Sequence, residues 1–338
     1  MSAAPVPQAA TGGHRPVMLR EVLQVLAPRD GGIYVDGTFG AGGYSRALLD
    51  AANCTVWGVD RDPDAIAAGV DLVRLYAGRL TLVPGRFGEL ARLLRARGVV
   101  AMDGIAFDVG VSSMQIDHAE RGFSFRLDGP LDMRMEKSGP SAADVVNKFP
   151  ETELADIIHR LGEERRARQI ARAIVTARKA APITRTHQLA AIVRRVLRLA
   201  SGGRRNDKID PATRTFQALR IFVNDELGEL DRGLAVAEAM LRCGGRIAVV
   251  SFHSLEDRRV KSFLRDRCGL APRQSRHVPV GDAPDPRKPS FKPLPQSGAH
   301  PDDDEIQANP RARSARLRAA ERTDAAPWVA LGAVGGSA

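Results

Sequence analysis

Short apolar runs alternate with helical periodicity over residues 33–110. Ile33-Tyr34-Val35-Asp36 is an apolar run ending at a glycine-rich turn, and a helical pattern follows from about Tyr44 to Ala51. Thr55-Val56-Trp57-Gly58-Val59-Asp60 predicts a second strand. Asp62-Pro63 then opens a helix, with Asp62 as N-cap and Pro63 at its first position. Arg79 to Val83 predicts a third strand, Phe87 to Arg97 a helix, and Gly104 to Asp108 a fourth strand. This βαβ rhythm predicts a parallel sheet with right-handed crossovers.

The rhythm stops after residue 110. Residues 111–140 read as loop, and residues 141–199 as helices, with Ser141 and Thr186 as candidate caps. Residues 200–210 form a basic, glycine-containing loop. A long helix is predicted from about Pro211 to Leu241, closed by Cys243-Gly244-Gly245. Arg246 to Phe252 is a strongly apolar fifth strand, a helix runs from about Leu255 to Arg267, and Ser314 to Glu321 can return as a last strand. The pattern therefore describes an α/β sheet interrupted by a helical insertion. The divisions expected are a flexible leader at 1–13, a sheet domain at 14–114 and 213–322, the insertion at 115–212, and a flexible tail at 323–338. Residues 270–310 are polar and proline-rich and read as irregular loop; the acidic run Asp302-Asp303-Asp304-Glu305 within them reads as solvated.

Composition changes this picture in two respects. The 50 Lys and Arg against 40 Asp and Glu leave a net charge of +10, which favours a polyanionic partner such as nucleic acid or an anionic membrane surface. No apolar run approaches the roughly 20 residues of a membrane span. The N-terminus has no charged segment followed by an apolar core, so no secretory signal is read there. Three scattered cysteines form neither a disulfide framework nor a metal pair, and no His, Cys and Asp cluster has metal-ligand spacing.

In an open parallel sheet, ligands bind at the carboxyl ends of the strands. Four features fall there. The turn Asp36-Gly37-Thr38-Phe39-Gly40-Ala41-Gly42-Gly43 permits close backbone approach and positive φ. Asp60 ends the second strand, 18 positions after Gly42, where a carboxylate can accept from ribose hydroxyls. Phe87 follows the third strand and can pack on an adenine ring. Asp108 ends the fourth. Turn and Asp60 together indicate an adenosine-containing ligand, without separating NAD from S-adenosylmethionine (SAM). The GxxGxGG spacing and the preceding Asp36, which can meet a methionine ammonium, favour SAM over a dinucleotide, whose pyrophosphate needs open helix N–H groups.

At Asp108-Val109-Gly110-Val111-Ser112-Ser113 and Glu120-Arg121-Gly122-Phe123-Ser124-Phe125 the sequence resembles the bacterial ribosomal small-subunit RNA methyltransferase H family, also called MraW. Matching segments run from His14-x-Pro16-Val17-Met18-Leu19 through Tyr34 to Gly40, Asp60 to Pro63, Gly129 to Met135, Pro211 to Arg220 and Ser251 to Arg258, to Asn309-Pro310-Arg311-Ala312-Arg313-Ser314. The resemblance implies a Rossmann-like SAM-dependent methyltransferase sheet in a cytoplasmic enzyme. It implies methyl transfer to the exocyclic N4 amine of a cytidine at the decoding centre of 16S ribosomal RNA, with the small subunit's RNA as partner. It places SAM contacts on Gly42, Gly43, Tyr44, Asp60, Phe87, Asp108 and Gln115; reading the turn itself adds Asp36 and Gly40. The family often has His where this chain has Tyr44.

An exocyclic amine is a poor nucleophile because its lone pair is delocalised into the ring, so donor and acceptor must be held in line. Many amino-methyltransferases use an Asp/Asn-Pro-Pro-aromatic tetrad after the fourth strand. Here that place reads Asp108-Val109-Gly110-Val111, so Asp108 can orient the amine, accept its proton, or contact SAM. His253 is a second candidate base, the alternative being a histidine that satisfies loop hydrogen bonds. Arg121, Phe123 and Phe125 are candidates to clamp a base splayed out of folded RNA. Arg165, Arg166, Arg168, Arg172, Arg204, Arg205 and Lys208 are the expected phosphate-binding face. Rival readings are a SAM enzyme acting on DNA or protein, a non-catalytic RNA-binding module, and an NAD-dependent oxidoreductase.

Overall fold

The computed structural model describes residues 16–200, 210–270 and 287–329. The expected leader, His14, Arg204, Arg205, Lys208 and the end of the tail lie outside the described residues.

Seven strands form one sheet: β1 (Ile33–Asp36), β2 (Thr55–Asp60), β3 (Leu80–Pro84), β4 (Met102–Asp108), β5 (Leu241–Ser251), β6 (Phe291–Pro293) and β7 (Arg316–Arg322), in the order β3-β2-β1-β4-β5-β7-β6. β1 to β5 are parallel, and β7 runs antiparallel between β5 and β6. The central residues of β1, β4 and β5 are buried because both faces are covered, as a parallel sheet requires. From β1 the chain winds outward through β2 to β3, then returns to β4 on the other side of β1. The carboxyl ends of β1 and β4 therefore flank the topological switch point, the place where such sheets bind ligands.

On the sheet lie α1 (Leu19–Leu26), α2 (Gly43–Ala51), α3 (Pro63–Ala68), α4 (Val70–Leu75) and α5 (Leu90–Arg95). Asp62 caps α3 as expected, its side chain accepting from the Asp64 N–H at 3.0 Å, with Pro63 at the first helical position. Residues 87–97 differ slightly from the expected single helix: a 3₁₀ turn, Phe87–Glu89, precedes α5.

The β4-to-β5 crossover carries the insertion. It contains α6 (Ser113–Asp117), α7 (Ala142–Lys148), α8 (Glu151–Gly162), α9 (Ala167–Arg178), α10 (Thr186–Ala200) and α11 (Thr213–Asn224), followed by α12 (Glu226–Met240), which returns to the sheet. Ser141 caps α7 through a capping box with Asp144, as expected. Thr186 does not cap α10 in that way; its hydroxyl accepts from the Gly129 N–H at 3.1 Å and so fastens the preceding loop.

The predicted helix from Pro211 to Leu241 is two helices. Asp225 takes φ +48°, which breaks the run between α11 and α12. Phe216, Ala218 and Leu219 of α11 pack into the insertion core with Leu154, Ile158 and Ile170, whereas Leu230, Leu234 and Ala237 of α12 pack beneath the sheet with Phe107 and Val249. The packing seam thus falls at Asp225 rather than between residues 212 and 213. Asn224 marks it: its amide donates to the Met133 carbonyl at 2.7 Å and accepts from the Met135 N–H at 2.9 Å, holding the loop after β4 against α11. The helix ends at Met240, close to the expected Leu241, and Cys243-Gly244-Gly245 lies just beyond it inside β5, where the β4–β5 register shifts.

The closing segment holds α13 (Ser254–Arg267), β6, α14 (Asp303–Ala308) and β7. The acidic run is not loop: Asp302 caps α14, and Glu305 accepts from the Met18 N–H at 2.7 Å. The tail does not begin at 323 either. Trp328 donates to the Lys288 carbonyl, and the Arg267 guanidinium sits 4.9 Å over its ring. Among the described residues no helix is long and apolar enough to cross a membrane.

Candidate active site

A cleft opens at the carboxyl ends of β1, β2 and β4. Asp36, Gly40, Gly43, Tyr44, Asp60, Phe87, Asp108 and Gln115 all line it. Gly42 does not. It takes φ +75° at the start of α2, and a Cβ there would meet the Phe39 ring at 2.7 Å. Its glycine serves the turn rather than the wall.

The turn after β1 is cross-tied. Gly40 takes φ +53° and its N–H donates to Asp60 Oδ2 at 2.7 Å, joining the ends of β1 and β2. Asp60 Oδ1 accepts from the Asp62 N–H at 2.8 Å, and each oxygen keeps a lone pair for a ligand hydroxyl. Burial raises the Asp60 carboxyl above its ordinary range. Asp36 is 1% exposed; Ser45 donates to its Oδ2 from both N–H (3.1 Å) and hydroxyl (2.7 Å). Burial outweighs those bonds and pushes the Asp36 carboxyl up to about 6.

Pro16 and Val17 cover the turn. A Cβ on Gly43 would come within 2.0 Å of Pro16 Cγ, so only glycine allows that approach. The buried Tyr44 donates its hydroxyl to the Val17 carbonyl, which gives the Tyr44 side chain the work of holding this cover down. Phe87 stands beside the end of β3 with its ring 5.2 Å from that of Phe107.

Asp108 is the least satisfied group in the cleft. Its N–H donates to the Thr38 hydroxyl at 2.6 Å, but its Oδ1 is buried and has no hydrogen-bond partner among the described residues. Burial, then the charges of Asp36, Glu256 and Glu305, push its carboxyl up to about 8. Asp36, Asp60, Asp62, Glu226 and Glu229 are also on the wall, against Arg61 and Arg311, so carboxyls outnumber guanidiniums in the lining and a cationic ligand is suited.

Across this cleft and the sheet around it, residues 11–323 match the MraW methylase family. The chain belongs to the MraW methylase family. It is 60% identical over 315 residues to the ribosomal RNA small subunit methyltransferase H of Paramagnetospirillum magneticum, covering 93% of this chain and 97% of that one. It is 58% identical to the protein of the same name from Parvibaculum lavamentivorans (96% and 93% covered) and 59% identical to that from Rhodospirillum centenum (96% and 97% covered).

In this methylase Gln115 joins two elements of the cleft. It completes a capping box with Ser112 on α6 and donates from Nε2 to Asp62 Oδ2 at 2.8 Å. The same oxygen accepts from Arg121 Nη1 at 2.9 Å. Arg121 also reaches Asp64 and the Arg134 and Met135 carbonyls, and is 8% exposed. Arg121, expected to clamp RNA, is placed here with its guanidinium pinning the loop after β4 to the start of α3. Phe123 is buried in the insertion core with the Arg121 guanidinium over its ring. Phe125 packs edge-on to Phe216 at 4.7 Å with Arg194 over it, so its ring is engaged in packing too.

His253 does not line the cleft; its neighbour Phe252 does. His253 caps α13, Nδ1 accepting from the Glu256 N–H at 3.4 Å. Nε2 lies 2.9 Å from Glu256 Oε1, so the ring holds the first turn of α13 by both nitrogens. Glu226, His253 and Glu256 bring ligand atoms within 4.8 Å of one another. A guanidinium already serves them: Arg220 bonds Glu226 twice at 2.7 Å and lies 4.0 Å from Glu256.

Arg165, Arg166, Arg168 and Arg172 are exposed at and along α9. The α8–α9 junction reaches the site's edge, where Glu163 accepts from Ser254 and Arg258 at the start of α13. Sequence reasoning missed Thr38, Asp62 and Phe252 on the cleft wall, and Glu256 and Glu305, whose charges act on Asp108. Thr38 and Phe252 sit inside motifs already singled out, but nothing in their spacing says which residue faces the cleft.

Proposed function

We propose that this protein transfers a methyl group from SAM to the exocyclic N4 amine of a cytidine in the decoding centre of small-subunit (16S) ribosomal RNA, and that it works in the cytoplasm. The observation carrying this reading is Asp108: an unpartnered, buried carboxyl oxygen at the end of β4, inside an anionic cleft at the switch point. Relatives at about 60% identity bear the name of that rRNA methylase.

The residues present fit the cofactor. SAM supplies a methyl group on a positively charged sulfonium. Asp60 has lone pairs free for ribose hydroxyls, and Phe87 offers a ring face for adenine. Asp36, Gly40 and Gly43 shape the turn, with Tyr44 holding Pro16 and Val17 over it. Gln115 fixes the opposite wall.

A cation beside Asp108 favours its ionised form. As carboxylate, Asp108 can accept a hydrogen bond from the acceptor amine and take the proton the amine must lose once methylated. Arg165 and Arg166, with Arg168, supply exposed charge for RNA phosphates. We place the insertion at 115–224, with α11 inside it. The first test is ligand choice: SAM should raise the melting temperature and NAD should not; a shift with NAD alone contradicts the reading.

A further inference from the structure

Among the described residues that line the cleft, the guanidiniums are those of Arg61 and Arg311. Arg61 is committed. Its side chain is 10% exposed, Nε donates to Glu136 Oε1 at 2.8 Å, and Nη1 donates to the Asn224 carbonyl at 2.8 Å. Arg311 is placed otherwise. Its side chain is 37% exposed, and it pairs with Asp117, which is 56% exposed. Nη1 donates to Asp117 Oδ2 at 3.2 Å and Nη2 donates to Oδ1. An ion pair between two exposed side chains shifts an equilibrium by about fivefold at most, so a better anion can displace this carboxylate.

Both ends of that bridge are held, although the bridge itself is exposed. Arg311 stands on the 3₁₀ turn Pro310–Ser314, which opens on Pro310, is capped by the Asn309 side chain and is anchored by the fully buried Ala312. Asp117 is the last residue of α6, whose Ser112–Gln115 capping box and Gln115–Asp62 bond fix it to the wall. Asn309, Ser112 and Met114 line the cleft beside them. The bridge thus joins the closing segment to the helix that follows β4, the strand ending at Asp108. Asp60, which serves the ribose, ends β2 on the other side of β1.

A base that enters the cleft toward Asp108 brings its phosphates only as far as the rim, because the ribose stands between. Carboxyls outnumber guanidiniums in the lining, so an approaching phosphodiester is repelled unless a cation meets it. An arginine fork matches the two non-bridging oxygens of a phosphodiester, and RNA adds the gain from released counterions. We propose that Arg311 receives a phosphate flanking the target nucleotide, and that Asp117 is a place-holder that keeps the guanidinium over the cleft until that phosphate displaces it. This rests on the reading of function given above and deepens it, making Arg311 the residue that seats the acceptor nucleotide against a wall of carboxyls. The methionine carboxylate of SAM is the other anion this cleft would receive, and the test separates the two.

The test measures methyl transfer to unmodified small subunits alongside calorimetric binding of SAM. Arg311→Ala should raise KM for the subunit about tenfold, the effect of losing a charged hydrogen bond, and leave kcat and the Kd for SAM within about twofold. It should also lower the slope of log affinity for the subunit against log salt by about 0.7–0.9, one phosphate contact. Asp117→Asn keeps the shape and removes the competing charge, so it should move KM the other way, down about threefold. A bridge that only braces the fold would weaken in both variants, so a KM raised by Asp117→Asn as well overturns the proposal. A Kd for SAM raised by Arg311→Ala, with the salt slope unchanged, gives the guanidinium to the methionine carboxylate and overturns it too. If Arg311→Ala does not fold, Asp117→Asn decides, and an unchanged or raised KM contradicts the exchange. Absence of any methyl transfer by the wild type would instead bring down the functional reading itself, so the two failures are distinguishable.

Discussion

The Asp108 backbone N–H donates to the Thr38 hydroxyl across 2.6 Å, so the end of β4 is fastened to the turn that follows β1. That bond ties together the two loops that flank the switch point. Thr38→Val removes the acceptor and leaves a half-buried N–H without its partner, which should cost about 1 kcal/mol of stability. Melting temperature should fall and SAM affinity weaken, and Thr38→Ser should restore both. Equal melting of Thr38→Val and wild type contradicts the coupling.

Asp108 makes SAM binding depend on pH. Burial and the neighbouring carboxylates push its carboxyl up to about 8, far above the roughly 3.9 of an unfolded chain. Its proton is thus favoured in the folded state: the stability it contributes is complete below about pH 4 and is lost as pH rises through about 8. A bound cation favours the carboxylate, so binding releases a proton below pH 8. The Kd for SAM should rise as pH falls from 8 to 6, by at most about tenfold per unit. Calorimetry on Asp108→Asn should flatten the profile between pH 8 and 7, above the range where Asp36, at about 6, takes up its own proton; an equally steep one there would assign the linkage elsewhere.

Arg121 should behave as a structural residue. It bonds Asp62 and Asp64 and two backbone carbonyls from inside the protein. Arg121→Ala leaves the buried Asp62 carboxylate with one cationic partner fewer and should destabilise the fold by about 3–5 kcal/mol, the usual result of breaking a buried pair. Thermal melts and SAM titrations should register it. A variant with normal stability and weakened RNA binding alone would reinstate the clamp.

The strands that build the site were legible because each is a short apolar run closed by an acidic residue, as at Asp36, Asp60 and Asp108. The turn glycines and the Asp62 cap were legible for the same local reason. What escaped was tertiary. The apolar pattern runs unbroken through Asn224 and Asp225, and only packing assigns α11 to the insertion and α12 to the sheet. An arginine among phenylalanines reads as an RNA clamp until Asp62 and Asp64, some 60 positions earlier, are found beneath it. Glu256 looks like one more polar residue of α13; its burial against His253 and Arg220 shows only in the fold. The acidic run at 302–305 gave no sign that Glu305 would cap the Met18 N–H and press on Asp108.

The exposed arginines of the insertion should carry the salt dependence of RNA binding. Replacing Arg165, Arg166 and Arg168 together by Ala should lower the slope of log affinity against log salt by about two units, at roughly 0.7–0.9 per phosphate contact. SAM affinity should not change. An unaltered slope puts the RNA face elsewhere.

The most direct measurement is transfer of labelled methyl from SAM to small ribosomal subunits that lack the modification, with the product nucleoside identified by mass spectrometry. The wild-type protein should place the label on a single cytidine of the 16S RNA as N4-methylcytidine, and Asp108→Ala, correctly folded, should leave it unlabelled. No label in that RNA, or label on another base or on protein, contradicts the account.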